Sequence, residues 1–434
     1  MSLGEAARSV GLHSRVRSLT DAFCAVRAQT ERLIAPLSAE DCALQSMPDA
    51  SPVKWHLGHT SWFFETFVLE RWIAGYTPFH PDFRMLFNSY YVAVGPRHPR
   101  PERGMLSRPA LDEVLAYRRH VDQCMTQVLA EARSADRQLA DMAELGINHE
   151  QQHQELIVTD LKHLLSRNPL LPAYVTGRIR SEPEPETASL KWRGVPGGMQ
   201  RIGYEGNQFC FDNELPRHRV LTRDCSIASH PVTNGEFLAF VEDGGYDRPE
   251  LWLAEGWDMR VAREWCAPSY WMRNSSAWWQ FTLNGARPLQ VGEPVCHVSY
   301  FEADAYARWA GARLPTEAEW EVFAADAPLA GTFLESELYH PQRASPDAGE
   351  REAAQVYGDV WEWTQSAYAP YPGYRPAAGA VGEYNGKFMV NQYVLRGGSC
   401  ATPRSHIRPT YRNFFPASAR WQFSGIRLAR DSAG

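Results

Sequence analysis

Hydrophobic periodicity changes character near residue 172, and that change limits the chain to two dissimilar halves. Up to residue 172, apolar residues recur at helical spacing in four stretches, at roughly 13–35, 52–76, 108–132 and 137–166. Pro52 and Pro109 stand near the starts of the second and third stretches, where a proline removes no needed hydrogen bond. Four long helices with modest connections predict a bundle over 1–172, and facing helices of a bundle can build a metal site in its core. The connection 77–107 is longer than ordinary bundle loops and rich in aromatics, which marks it as functional.

After residue 172 the helical pattern lapses. The run "TGRIRSEPEPETASLKWRGVPGG" is dense in Pro, Glu and Gly and predicts a linker over 173–195. Residues 196–434 then alternate short apolar pieces with Gly, Pro and Asn, and one helical stretch stands out near 299–312, "SYFEADAYARWAGA". The fold class read from this is α+β multidomain, with the bundle followed by a compact, irregular α+β domain. A chain of 434 residues exceeds a single ordinary core, which agrees with two domains. The net charge of −7 gives no footprint for a nucleic-acid partner. No stretch of about 18 apolar residues and no signal-peptide core occur, and the eight cysteines are scattered without a C-x-x-C pair. These features predict a cytoplasmic protein with reduced thiols and no membrane partner.

The fourth helical stretch carries "GINHEQQHQELIVTDLKH", with His149 and His153 one turn apart on one face, so both imidazoles can reach one metal. The second stretch carries "WHLGH", with His56 and His59 in an apolar setting. Glu155 lies just beyond the pair, placed to orient a ligand. The H-E-x-x-H pattern also fits a zinc peptidase with Glu150 as base, but the H-x-x-G-x-x-H extension is missing. Spacing alone leaves the metal open.

These residues resemble a family. "HEQQHQE" is similar to the H-x-x-x-H-x-E motif of ergothioneine-type sulfoxide synthases, whose N-terminal half is a DinB-like four-helix bundle. "PVTNGEFLAFVEDGGY", "GDVWEWTQSAY", "VLRGGSC" and "RNFFPASARWQFSGIRLARD" resemble the formylglycine-generating-enzyme (sulfatase-modifying factor) fold, which is related to C-type lectins. The joint resemblance spans nearly the whole chain. It implies Fe(II) held by His59, His149 and His153, with His56 packing or hydrogen-bonding nearby and remaining the alternative first ligand. It implies O2, hercynine (Nα-trimethylhistidine) and a thiol donor as small-molecule substrates, joined through a C–S bond at the imidazole carbon between the nitrogens to give a sulfoxide. The formylglycine-generating enzymes themselves use a cysteine pair near the C-terminus, where only Cys400 remains here, so their activity is not expected.

Within the resemblance, "NSYY" supplies the proton donor as Tyr90 or Tyr91, since this chain matches the branch with paired tyrosines. Gln152 matches the residue that hydrogen-bonds the substrate imidazole. Phe414 and Phe415 offer aromatic faces to a quaternary ammonium, with Asn413 beside them as a carboxylate or amide contact. The γ-glutamylcysteine-using branch has Asp where Phe415 stands, which favours cysteine as donor. Arg84 and Arg97 are candidates to pair with the donor carboxylate. Three other readings stay open at this level: a selenoneine synthase taking selenium from a selenosugar, a DinB-type zinc thiol transferase, and a lectin-like binding module on a helical scaffold.

Overall fold

The computed structural model describes residues 3–131, 136–177, 190–275, 277–344 and 353–432. The chain divides into two compact units, Met1–Arg167 with Gly379–Glu383, and Asn168–Ala378 with Tyr384–Gly434. The first unit is a bundle of α1 (Leu3–Ile34), α2 (Val53–Phe64), α3 (Leu111–Glu131) and α4 (Arg137–Ser166). On α3 the buried residues Val114, Tyr117, Val121, Met125 and Val128 form one stripe at three- and four-residue spacing. α2 differs, because every residue from Val53 to Phe64 is buried, polar ones included. A helix buried on all sides must satisfy its polar groups inside the protein, and that requirement places the histidines of "WHLGH" in the core. α2 runs on through a π-helical turn, Glu65–Leu69, and a last turn, Glu70–Trp72.

The segment 77–107 is held near its start and at its middle. Glu65 accepts hydrogen bonds from the hydroxyls of Tyr76 (2.7 Å) and Tyr117 (2.6 Å) and from Phe79 N (3.0 Å). Further along, Glu383 accepts from Val92 N (3.0 Å) and Ala93 N (2.9 Å), directly after the Tyr90–Tyr91 pair. Ala380 packs on the same core, so a short piece from late in the sequence completes the first unit.

In the second unit, the longest strand, β3 (Trp361–Ala367), lies in a four-stranded sheet, with β4 (Gln392–Arg396) and β5 (Asn413–Pro416) to one side and β6 (Ser424–Gly425) to the other. A three-stranded sheet joins β1 (Trp192–Val195), β2 (Cys225–Ala228) and β7 (Ala429–Asp431). Residues 192–195, expected to be linker, therefore form a strand paired with β2. Tyr174 N and Val175 N likewise bond to the Leu283 carbonyl at 2.9 and 3.0 Å, and the middle of that expected linker, 178–189, lies outside the described residues. Besides the expected helix, observed as Tyr300–Trp309, this unit holds Asn234–Glu242, Ala254–Ala262 and Glu317–Ala324. Two of these begin with capping boxes, Thr233 with Glu236 and Thr316 with Glu319, which close helices too short for their periodicity to stand out. No disulfide forms among the eight cysteines. Among the described residues no helix is long and apolar enough to cross a membrane.

Candidate metal centre

Three buried imidazoles converge in the first unit: ligand nitrogens of His59, His149 and His153 all lie within 4.8 Å of one another. His59 comes from α2, and the pair from α4 shares a face because it is spaced i,i+4. His59 is clamped between the rings of Trp55 (4.6 Å, 14°) and Trp62 (5.4 Å, 16°), while Phe63 stacks on His149 at 4.5 Å. The Nδ1–H of His59 donates to the Phe87 carbonyl at 2.6 Å, which turns its bare Nε2 toward the triad. That atom stands 3.2 Å from Nε2 of His149.

Gly58 makes this possible, since a Cβ there would lie 2.2 Å from the Phe87 ring. Gly58→Ala is expected to push Phe87 and its carbonyl off His59 and to lower stability by about 1–3 kcal/mol. Chemical denaturation measures the second effect, and metal titration measures the first.

The donor set fits a divalent metal. Burial lowers the pKa of all three rings, with neighbouring imidazoles lowering His59 and His153 further, and His149 is brought to about 3. All three are then neutral at physiological pH, the form that binds metal. If two neutral rings turn bare nitrogens on each other at 3.2 Å, their lone pairs repel, and a cation between them removes the conflict. Should His149 donate instead, its buried Nδ1, which has no hydrogen-bond partner among the described residues, becomes an orphaned acceptor.

Glu150 faces elsewhere. It accepts from Arg27 (2.9 Å), Arg118 (2.6 Å) and Thr30 (2.7 Å), with Arg118 and Glu150 fully buried. A carboxylate held this way cannot serve as a water-activating base, which argues against the peptidase reading of H-E-x-x-H. His56 sits behind the triad, with Nδ1 at 2.8 Å from Nδ1 of His153 and Nε2 at 3.2 Å from Asp160.

The tyrosine pair is split by burial. Tyr91 is buried among Trp62, Phe63 and Phe67, whereas Tyr90 is half-buried and its hydroxyl accepts from Arg100 at 3.3 Å. Arg84 is exposed and paired with Glu70 at 2.6 Å, and Arg97 donates to the Ser89 carbonyl at 3.1 Å. Gln152 is half-buried on α4 between the two histidines. Asn413, Phe414 and Phe415 are half-buried on β5 of the second unit, where Phe414 stacks on Tyr368 at 4.0 Å and Phe415 meets Trp421 edge-on at 5.9 Å. Cys400 is fully buried.

Sequence reasoning missed two groups of residues. One is Asp160, whose signal is the 149/153/160 stripe on one helix face. The other is Arg100 and Arg103, one 3-10 turn apart on Arg100–Met105. Arg103 lies 3.3 Å over Trp55 and donates to the hydroxyls of Ser51 (2.9 Å) and Ser89 (3.2 Å). Among the described residues, no carboxylate forms an ion pair with Arg97, Arg100 or Arg103.

A candidate metal centre in a helical bundle shares one chain with a mixed helix–strand domain, and comparison with known proteins identifies both halves. The DinB superfamily model matches residues 22–157, and the sulfatase-modifying factor enzyme 1-like domain matches residues 181–432. Hercynine oxygenase of Mycobacterium tuberculosis is 34% identical, over 93% of this chain and 96% of its own length. That of Mycolicibacterium thermoresistibile is 33% identical, over 96% and 94%, and that of Mycolicibacterium smegmatis 36% identical, over 66% and 71%. The chain belongs to the hercynine oxygenase family.

Proposed function

We propose that this protein acts on hercynine in ergothioneine biosynthesis, as an Fe(II)- and O2-dependent sulfoxide synthase that joins the imidazole carbon to a cysteine thiol. The single observation that carries this reading is the buried, neutral His59–His149–His153 set. A ferrous ion held by three neutral imidazoles supplies open positions for reactants and the redox step between sulfur and oxygen. The protein's own residues supply placement and protons. The tyrosine pair, Tyr90 and Tyr91, offers phenol O–H groups as proton donors. Gln152, between the two α4 histidines in sequence, serves the substrate imidazole. Arg97, Arg100 and Arg103 form a cluster of cations without carboxylate partners among the described residues, and such a cluster favours a donor that bears a carboxylate, as cysteine does, over an uncharged sugar.

Turnover of the iron-loaded protein with hercynine and either cysteine or a selenosugar tests the donor. Sulfoxide from cysteine, lost without O2, supports the reading. Product from the selenosugar alone makes the protein a selenoneine synthase, and an unchanged anaerobic rate makes it a thiol transferase. Arg100→Ala is expected to raise KM for cysteine about 10-fold or more, in line with loss of one charge-assisted contact, and to leave KM for hercynine within twofold. Steady-state kinetics in each substrate checks this.

A further inference from the structure

α2 and α4 meet along two layers of polar residues. The upper layer is the triad. The lower layer is His56, one turn before His59 on α2, and Asp160, two turns after His153 on α4. Both are buried, at 2% and 5% exposure, deep enough that their polar atoms must find partners in the protein. Asp160 Oδ2 accepts from Ser51 N at 2.8 Å and stands 3.2 Å from His56 Nε2.

A carboxylate only accepts, so the proton between Asp160 and His56 belongs to His56 Nε2. A neutral His56 then has a bare Nδ1. The 2.8 Å contact with His153 Nδ1 can be a hydrogen bond only if His153 carries its own proton there. That leaves Nε2 of His153 bare. Asp160 thus acts through His56 on the nitrogen that His153 offers.

We propose that His56 and Asp160 are positioning residues, a carboxylate–imidazole relay that fixes the tautomer and ring orientation of His153 and thereby sets metal affinity. The inference rests on the three-histidine metal reading above. Relays of this kind hold ligand rings in register, and losing one typically weakens metal binding by about 10- to 100-fold.

The experiment titrates the full-length apo protein with Co(II), whose visible absorption reports coordination number and symmetry. The wild type is expected to bind one equivalent. His56→Phe keeps the ring volume and removes the acceptor; it is expected to bind about 10- to 100-fold more weakly, with an altered absorption envelope and an unchanged far-ultraviolet circular dichroism spectrum. His56→Asn returns an acceptor oxygen near the Nδ1 position and is expected to recover affinity to within about threefold of wild type, a rescue that a space-filling role does not predict. Asp160→Asn keeps an acceptor for Ser51 but unfixes the His56 tautomer, and is expected to weaken binding about tenfold. Asp160→Asn decides the matter if His56→Phe does not fold. Affinity within twofold of wild type in His56→Phe or in Asp160→Asn overturns the relay. A wild type that binds no Co(II) overturns the metal reading itself, and the relay with it.

Discussion

Replacing Glu150 by alanine is expected to cost about 3–5 kcal/mol of folding stability, the largest loss for any single polar substitution in the first unit. The carboxylate is fully buried between Arg27 and Arg118, and its removal leaves two guanidiniums in the core, with Asp122 on Arg27 (2.5 Å) as the remaining carboxylate of the network. Equilibrium denaturation of the apo protein measures the loss. A pH dependence accompanies it. Burial alone raises the Glu150 pKa, but Arg118 and Arg27 outweigh burial and hold it at about 2. A carboxylate depressed in the folded state contributes stability that is complete above its unfolded pKa, near 4.5, and is lost as pH falls toward 2. The amount at neutral pH is about 3 kcal/mol, so wild type is expected to lose stability steeply below pH 4.5, while Glu150→Ala loses less over the same window. The metal site is expected to stay intact in a folded Glu150→Gln protein, whereas a peptidase needs this carboxylate for turnover.

His153→Ala is expected to have the largest effect on function. A site of three or four protein ligands binds a divalent metal with about 10–16 kcal/mol, so each ligand carries roughly 3–4 kcal/mol. Removing His153 is therefore expected to weaken metal binding about 100- to 1,000-fold and to bring sulfoxide formation to background. The same substitution strands His56 Nδ1 without its partner, so the loss exceeds that of His56→Phe. Calorimetric titration of the apo variant checks the first expectation, and product analysis checks the second. A variant that still binds metal as wild type does would place the ion away from His153.

The bundle was legible because its signals are local and repeated. Apolar residues at three- and four-residue spacing mark α3 and α4 to within three residues, and "HEQQH" puts two imidazoles on one face by helix geometry alone. α2 was harder, because a helix buried on every side has no polar face to give a period, and its histidines read as sites only through "WHLGH". The partner of His149 and His153 is 90 residues away in sequence, and spacing cannot choose between His56 and His59. What separates them is tertiary: His59 is turned by the Phe87 carbonyl, His56 by Asp160. Asp160 signals itself only by sharing a helix face with His149 and His153, and the Arg100–Arg103 turn leaves almost no sequence signal, since a pair of arginines in a loop is most often surface. The short helices of the second unit were missed for the opposite reason. Their capping boxes, "TNGE" and "TEAE", were present in sequence, but eight or nine residues give too little periodicity to notice.

Anomalous diffraction at the iron edge from crystals of the Fe(II)-loaded protein addresses the central claim most directly. One strong peak within about 2.0–2.2 Å of a nitrogen from each of His59, His149 and His153 is the expected result. A peak that leaves any of the three out of ligand reach, or that takes a carboxylate such as Glu155 in its place, contradicts the account.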